Sequence, residues 1–291
     1  MKITFLGTSA GEGYPGIWCS CKHCEYARAM GGKNLRANSC AQVDDDIMLD
    51  MNAECFGTAN RLHVNLRSTR YLLVTHPHED HFIPQHLLWR RMPEGADKLT
   101  WEQMHEIGAP CFTKLPQLHI VGGKYVLDKL KNHQELIWDD ATFAMDFTQA
   151  HGGKTIVMED LKITPVRSIH GPYRGYTYNY IIQRAGKTLL YALDTGGYEA
   201  DMMEVLHSFQ YDCIVMEGTC GEIKRDPGGH MNTQKNIEML HMFQNDGLLK
   251  ENGIFCLSHM SPHWTPPHDE YAPRMAKEGM EVAYDGKILT F

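Results

Sequence analysis

Between Thr75 and His81 the chain reads Thr-His-Pro-His-Glu-Asp-His, so three imidazoles and an aspartate stand where an apolar run ends. Imidazole and carboxylate side chains at this density suit zinc, iron or manganese. The preceding run, Tyr71-Leu72-Leu73-Val74, reads as a strand covered on both faces. His76 and His78 are two apart and point the same way in extended backbone. Asp80 and His81 then fall in the turn beyond, where they can face a neighbouring ion. The plainer alternative is a polar loop in a chain that carries 17 histidines. H-x-H-x-D-H directly after a buried strand seldom arises that way.

A second cluster, Cys19-Ser20-Cys21-Lys22-His23-Cys24, places three thiols in C-x-C-x-x-C spacing. Three such thiols can converge on one tetrahedral zinc, with a fourth ligand from elsewhere. Core cysteines that merely fill space are the alternative, and those seldom crowd into a loop. The chain has nine cysteines, an odd number, and its opening Met1-Lys2-Ile3-Thr4-Phe5-Leu6-Gly7 is too short for a signal peptide's apolar stretch. Reduced thiols holding a metal are therefore expected rather than disulfides.

The H-x-H-x-D-H segment resembles the signature of the metallo-β-lactamase superfamily. That resemblance implies an α/β fold, the αββα sandwich of two mixed sheets flanked by helices, with one or two metals at one edge. It also implies further ligands at strand ends, and three residues fit. His170 follows Leu161–Val166 ahead of Gly171-Pro172, Asp194 ends Thr188–Leu193, and His259 follows Ile254–Ser258. For Asp194 the competing reading is a cap for a helix over Glu199–Phe209. The cysteine loop, followed by Leu35-Arg36-Ala37-Asn38-Ser39-Cys40, is similar to that of the PhnP-like phosphodiesterases, and the PqqB-like proteins share a similar loop. The likeness spans nearly the whole chain as one domain, with the cysteine loop at about 14–40 and an insertion at about 93–114 as the main departure.

Carried over residue by residue, the resemblance implies two divalent ions, zinc or manganese, and one structural zinc. His76, His78 and His170 would hold one active-site ion, Asp80, His81 and His259 the other, with Asp194 between them. A metal-bridging hydroxide would then attack a small phosphodiester, a cyclic ribose phosphate being the first expectation. His230, in Gly229-His230-Met231-Asn232-Thr233, matches a catalytic histidine that is not a ligand, and Asp80 is counted with it. Asp50 matches an aspartate that braces the metal loop; a strand-end cap is its alternative. Cys19, Cys21, Cys24 and His263 would hold the structural zinc, although Pro262 adds one residue to the usual spacing, so His268 or His23 can substitute. Two alternatives stay open: an acyl hydrolase such as a lactonase or β-lactamase, and a PqqB-like binding protein without hydrolytic activity.

The elements that must position these groups follow from the rest of the pattern. Strands are expected over Ile3–Leu6, Cys40–Val43 and Ile47–Asp50, then at Leu118–Val121, Phe143–Phe147, Ile156–Met158, Tyr176–Ile182 and Asp212–Met216. Helices are expected over Phe82–Met92, Trp101–Ile107, Tyr125–Lys131 and Gln234–Leu248, and Glu281–Phe291 reads as a closing hairpin turned at Asp285-Gly286. The glycines of Gly7 to Gly13 are expected to serve tight turns rather than a ligand. The insertion reads as a lid or an arm of a homodimer, and Trp89, Arg90 and Arg91 beside it as solvated surface or substrate contacts. A net charge of −8 disfavours nucleic acid and favours a small substrate. No run reaches the roughly 18 apolar residues of a membrane helix, so a cytoplasmic location is expected.

Overall fold

A computed structural model describes residues 1–92, 95–109, 115–134, 141–171 and 177–291. The first sheet contains β1 (Lys2–Gly7), β2 (Cys40–Val43), β3 (Ile47–Leu49), β4 (Tyr71–Leu73), β5 (Leu118–Gly122) and β6 (Met145–Gln149). The second contains β7 (Ile156–Met158), β8 (Leu161–Arg167), β9 (Tyr178–Arg184), β10 (Lys187–Ala192), β11 (Tyr211–Glu217), β12 (Leu249–Ser258) and β13 (Glu281–Val282). The last strand, β14 (Ile288–Thr290), returns to the first sheet, giving the orders β14-β1-β2-β3-β4-β5-β6 and β13-β12-β11-β10-β9-β8-β7.

Period-two alternation sorts the strand residues into layers. Leu189 and Tyr191 face the interior between the sheets together with Phe5, Leu49, Leu73 and Tyr180. Leu190 and Ala192, one residue out of phase, pack instead with Leu206, Leu240 and Phe243 from helices on the outer side. On the other outer face Met48 and Leu72 meet Ala59, Val126 and Leu130. Helix, sheet, sheet, helix is the expected αββα sandwich.

Strand register then aligns the functional ends. In the parallel trio β10, β11 and β12, Ala192 pairs with Met216, and Glu217 pairs with Ser258. Asp194, Glu217 and His259 therefore emerge side by side. In the other sheet Leu49 pairs with Leu73, which brings Asp50 beside Thr75. Asp50, Asp194 and His259 all have positive φ, at 59°, 51° and 60°. Non-glycine residues adopt this left-handed conformation at a cost, and such residues gather at functional sites.

Three expectations need correction. Residues Pro84–Arg90 form a 3-10 helix, not an α-helix over Phe82–Met92; Pro84 opens it, and its ring fits the first turn. Glu281–Val282 and Ile288–Thr290 are no hairpin, because they belong to different sheets. The turn expected at Asp285-Gly286 is present, and the Asp285 carboxylate there accepts from Thr8 Oγ1 at 2.8 Å and Ala37 N at 2.7 Å. Finally, β9 starts at Tyr178, and the expected strand residue Tyr176 lies outside the described residues, as do Pro172, Pro93, Glu94 and 110–114 of the insertion. The helix expected within that insertion is present at Trp101–Glu106, closed by a Thr100–Gln103 capping box.

Candidate metal centre and active site

All seven residues expected as active-site ligands meet at one edge of the sandwich. Ligand-type atoms fall in groups within 4.8 Å of one another: His76 with His78 and His170, Asp80 with His81 and His259, and His76 with His81 and Asp194. The Asp194 carboxylate spans the first two groups. Its Oδ2 lies 2.8 Å from Nε2 of His81 and 3.2 Å from Nε2 of His259, while Oδ1 lies 3.6 Å from Nε2 of His170. The helix that Asp194 might have capped begins at Ala200 with Glu199 at its cap position, so the strand-end reading stands.

The surrounding groups fix which ring nitrogen faces the centre. Nδ1 of His81 donates to Asp50 Oδ2 at 2.7 Å, Nδ1 of His170 to the Gly229 carbonyl at 3.3 Å, and Nδ1 of His259 lies 2.8 Å from Thr219 Oγ1. Asp50 is itself held by Thr75, through N at 2.8 Å and Oγ1 at 3.0 Å. It therefore braces the loop rather than capping a strand. With Nδ1 so occupied, Nε2 of each ring is left for the centre, the arrangement that carboxylate and carbonyl partners impose on metal-binding histidines.

The donor set fits divalent cations. Nε2 of His170 and Oδ2 of Asp194 are buried without a hydrogen-bond partner. Nε2 of His81 and Nε2 of His259 face each other at 3.2 Å. Buried polar atoms left bare cost free energy, and a cation beside His170 Nε2 and Asp194 Oδ2 would satisfy that pair. Burial and neighbouring histidines push the proton affinity of His76 well below the ordinary imidazole range. Against burial, His81 and the hydrogen bonds from His259 hold Asp80 well below the usual carboxylate range. Both therefore present lone pairs. Gly11 runs past the site so closely that a Cβ there would lie 3.1 Å from Oδ2 of Asp80. That glycine serves close approach to a ligand-type residue, beyond the tight turn expected of it.

Glu217 went unnoticed as a functional residue in the sequence, where it only ends an apolar strand. Its side chain is fully buried. Oε1 and Oε2 lie 3.0 and 3.1 Å from Nδ1 of His230, and the same carboxylate accepts from Thr195 N and Met231 N. Burial alone would lower the pKa of His230, but the Glu217 charge and hydrogen bond outweigh it and raise the pKa to about 9. His230 also lies within reach of His170 and Asp194. Its Nδ1, however, is committed to Glu217, and Nε2 remains for the cleft. The cue available in sequence was an acidic residue at a strand end, too common to single out.

The cleft over the centre has a volume of about 370 Å³ and is lined by His78, Asp80, His170, Asp194, His230 and His259, with Glu12, Arg225 and Trp264 at its mouth. A cleft of that size suits a small ligand. Trp89 and Arg90 line a separate apolar cavity of about 460 Å³ instead.

At the cysteine loop, the sulfurs of Cys19, Cys21 and Cys24 lie within 4.8 Å of one another as free thiols. Backbone N–H groups of Gly16 and Cys21 point at Cys24 Sγ and Cys19 Sγ, at 3.3 and 3.4 Å. The three candidates for a fourth ligand separate. His268 accepts a hydrogen bond from the buried Arg36 guanidinium at 3.1 Å, and burial, then Arg36, lowers its pKa to about 4. It is thereby taken up elsewhere. His23 donates through Nδ1 to the Pro262 carbonyl at 2.9 Å. His263 has Nδ1 3.4 Å from the Glu12 carboxylate, and its Nε2 lies 3.8 Å from where a Gly16 Cβ would be, beside the Cys19 Cβ.

The profile of the beta-lactamase superfamily domain matches residues 47–260, which holds every ligand-type residue of the active edge. The chain belongs to the beta-lactamase superfamily. Within the superfamily, the coenzyme PQQ synthesis protein B of Azotobacter vinelandii is 28% identical over 319 residues, covering 98% of each chain. Among solved structures, a diphosphatase of the PhnP family superposes with a TM-score of 0.70 at 19% identity, covering 100% of this chain and 97% of its own. Zn(2+)-bound PqqB from Methylobacterium extorquens superposes with a TM-score of 0.69 at 18% identity, covering 100% of both. Those identities speak for a shared fold. Among the described residues, no helix is long and apolar enough to cross a membrane.

Proposed function

We propose that the protein is a metal-dependent hydrolase of a small phosphodiester. The observation that carries this reading is His230, held by Glu217 beside the metal-ligand cluster with its pKa raised to about 9. A group of that pKa is protonated at neutral pH, and a cationic donor suits an anionic phosphoryl group. His76, His78 and His170 would hold one divalent cation and Asp80, His81 and His259 another, with Asp194 reaching both. Such ions, zinc or manganese, supply Lewis-acid charge and acidify water.

The protein's own groups account for the remaining steps. Asp50, Thr219 and the Gly229 carbonyl hold the imidazoles in the orientation that presents Nε2. Nε2–H of His230 neutralises a phosphoryl oxygen as charge spreads over it. As water adds to phosphorus and the ester P–O bond breaks, His230 hands its proton to the departing alkoxide, and the proton released by the attacking water restores His230, leaving a phosphomonoester and an alcohol. Glu217 stabilises the cationic ring before transfer and keeps it in register. Cys19, Cys21 and Cys24 with His263 would hold a third, structural zinc.

The test is an assay of bis-aryl and cyclic phosphodiesters with added manganese or zinc, run beside a lactone and a β-lactam. Phosphodiester turnover is expected, with His230→Ala lowering it about a hundredfold or more at unchanged metal content. Turnover of the lactone or β-lactam alone would assign an acyl hydrolase. The full-length likeness to coenzyme PQQ synthesis protein B favours a second reading, a part in coenzyme PQQ synthesis without phosphodiester hydrolysis. Restored coenzyme production in a strain lacking that protein, with inert phosphodiesters, would carry it.

A further inference from the structure

Two side chains at the mouth of the cleft, Trp264 and Arg225, take no part in the chemistry above. Trp264 leaves 38% of its surface in solvent, although indole is the side chain with most to gain from cover. Its position is nevertheless fixed. The ring meets the edge of His263 at 5.9 Å, and the Trp264 carbonyl accepts from Glu222 N at 2.9 Å. A Cβ on Gly221 would come within 2.4 Å of that same carbonyl oxygen, so the two loops are locked backbone to backbone. Three residues beyond Glu222 the second loop presents Arg225, which is exposed.

The charge on Arg225 is not used internally. Its acidic neighbours are engaged elsewhere, Glu222 with Arg274 and Asp226 with Lys235. Among the described residues the Arg225 guanidinium makes no ion pair. The loop that carries it is pinned by Asn232, whose side chain donates to the Ile223 carbonyl at 2.8 Å. A fixed aromatic face and a free guanidinium thus share one rim, next to a cluster suited to phosphoryl chemistry. Guanidinium binds phosphate oxygens through its planar fork, and an open indole face takes a planar ring.

We propose that Trp264 and Arg225 form a recognition site for a planar aromatic group linked to phosphate, which makes nucleoside or aryl phosphodiesters the substrate class. Arg225 meets a phosphate oxygen, and Trp264 stacks on the ring. This assignment rests on the phosphodiester reading for the reaction, while its test reads binding. Calorimetric titration of the metal-loaded protein would compare adenosine 5′-monophosphate, ribose 5-phosphate and adenosine. The nucleotide is expected to bind about tenfold tighter than the sugar phosphate, the scale of one base-on-aromatic stack. Trp264→Ala should abolish that advantage and Trp264→Phe should keep most of it. Arg225→Gln should weaken both phosphates and leave adenosine unaffected, with Arg225→Lys recovering part of the loss. Metal content and circular dichroism confirm that each variant is folded, and Trp264→Phe and Arg225→Lys keep the test open should the larger truncations unfold. Equal or absent binding of the two phosphates by wild type, or a nucleotide preference that survives Trp264→Ala, overturns the proposal. A Trp264-dependent nucleotide preference in a protein that hydrolyses no phosphodiester would keep the recognition site and remove the hydrolase reading.

Discussion

Both carboxylate oxygens of Glu217 lie within 3.1 Å of Nδ1 of His230, joining the last residue of a core strand to a loop thirteen positions later. The pair works as one unit, so its two members should not contribute independently. Glu217→Gln is expected to lower phosphodiester turnover about tenfold to a hundredfold, because the positive ring loses its counter-charge. In a double-mutant cycle, Glu217→Gln should add little to His230→Ala. Additive losses would show that Glu217 acts on something other than His230.

Among the described residues Asp194 is the one carboxylate reaching both groups of ligand-type atoms, so its removal should empty more than one position. Elemental analysis of Asp194→Ala should show loss of active-edge metal with retention of the metal at the cysteine loop. Unchanged metal content would deny it a ligand role. The fold should survive, because the side chain packs against other ligand-type residues rather than against the apolar core.

The cysteine loop should behave as a closed structural site, in which metal-binding energy acts as folding energy. Cys21→Ser is expected to lower Tm and expose residues near the loop to protease, and a chelator should have the same effect on wild type. His263→Ala should release one metal per chain. If that metal stays, His23 is the remaining candidate, since His268 is engaged with Arg36.

His268 sets a pH dependence whose sign follows from its partner. Its ordinary value is 6.5, and burial beside Arg36 lowers it to about 4. The unfolded chain therefore takes up a proton first as pH falls, and stability from this group is lost between those two values, by about 2–3 kcal/mol in all. Burial raises Asp285 from 3.8 to about 6, so that carboxyl contributes in the opposite sense across the same range. Urea titrations of wild type and His268→Asn at pH 7 and pH 4.5 separate the two. The variant should lose less stability on acidification. An identical loss in both proteins would remove His268 from the account.

How much of this was legible in one dimension depends on the range of each interaction. His76, His78, Asp80 and His81 sit in six consecutive residues after an apolar strand, and Cys19, Cys21 and Cys24 also in six, so local spacing alone marked them as groups able to hold metal. Period-two alternation marked the strands, and with them the strand-end places of His170, Asp194 and His259. The αββα sandwich followed from the likeness those motifs carry. Tertiary structure decided the rest. Glu217 has no local mark, and only the parallel register of β10, β11 and β12 sets it against His230. Glu281–Val282 and Ile288–Thr290 look like one hairpin, yet pairing with β12 in one sheet and β1 in the other separates them. His263 was the expected fourth ligand with His23 and His268 as substitutes, and of these a buried Arg36 claims His268. Side-chain periodicity is a property of one strand, whereas strand order and the partner of a buried charge depend on residues hundreds of positions apart, brought together only by the folded chain.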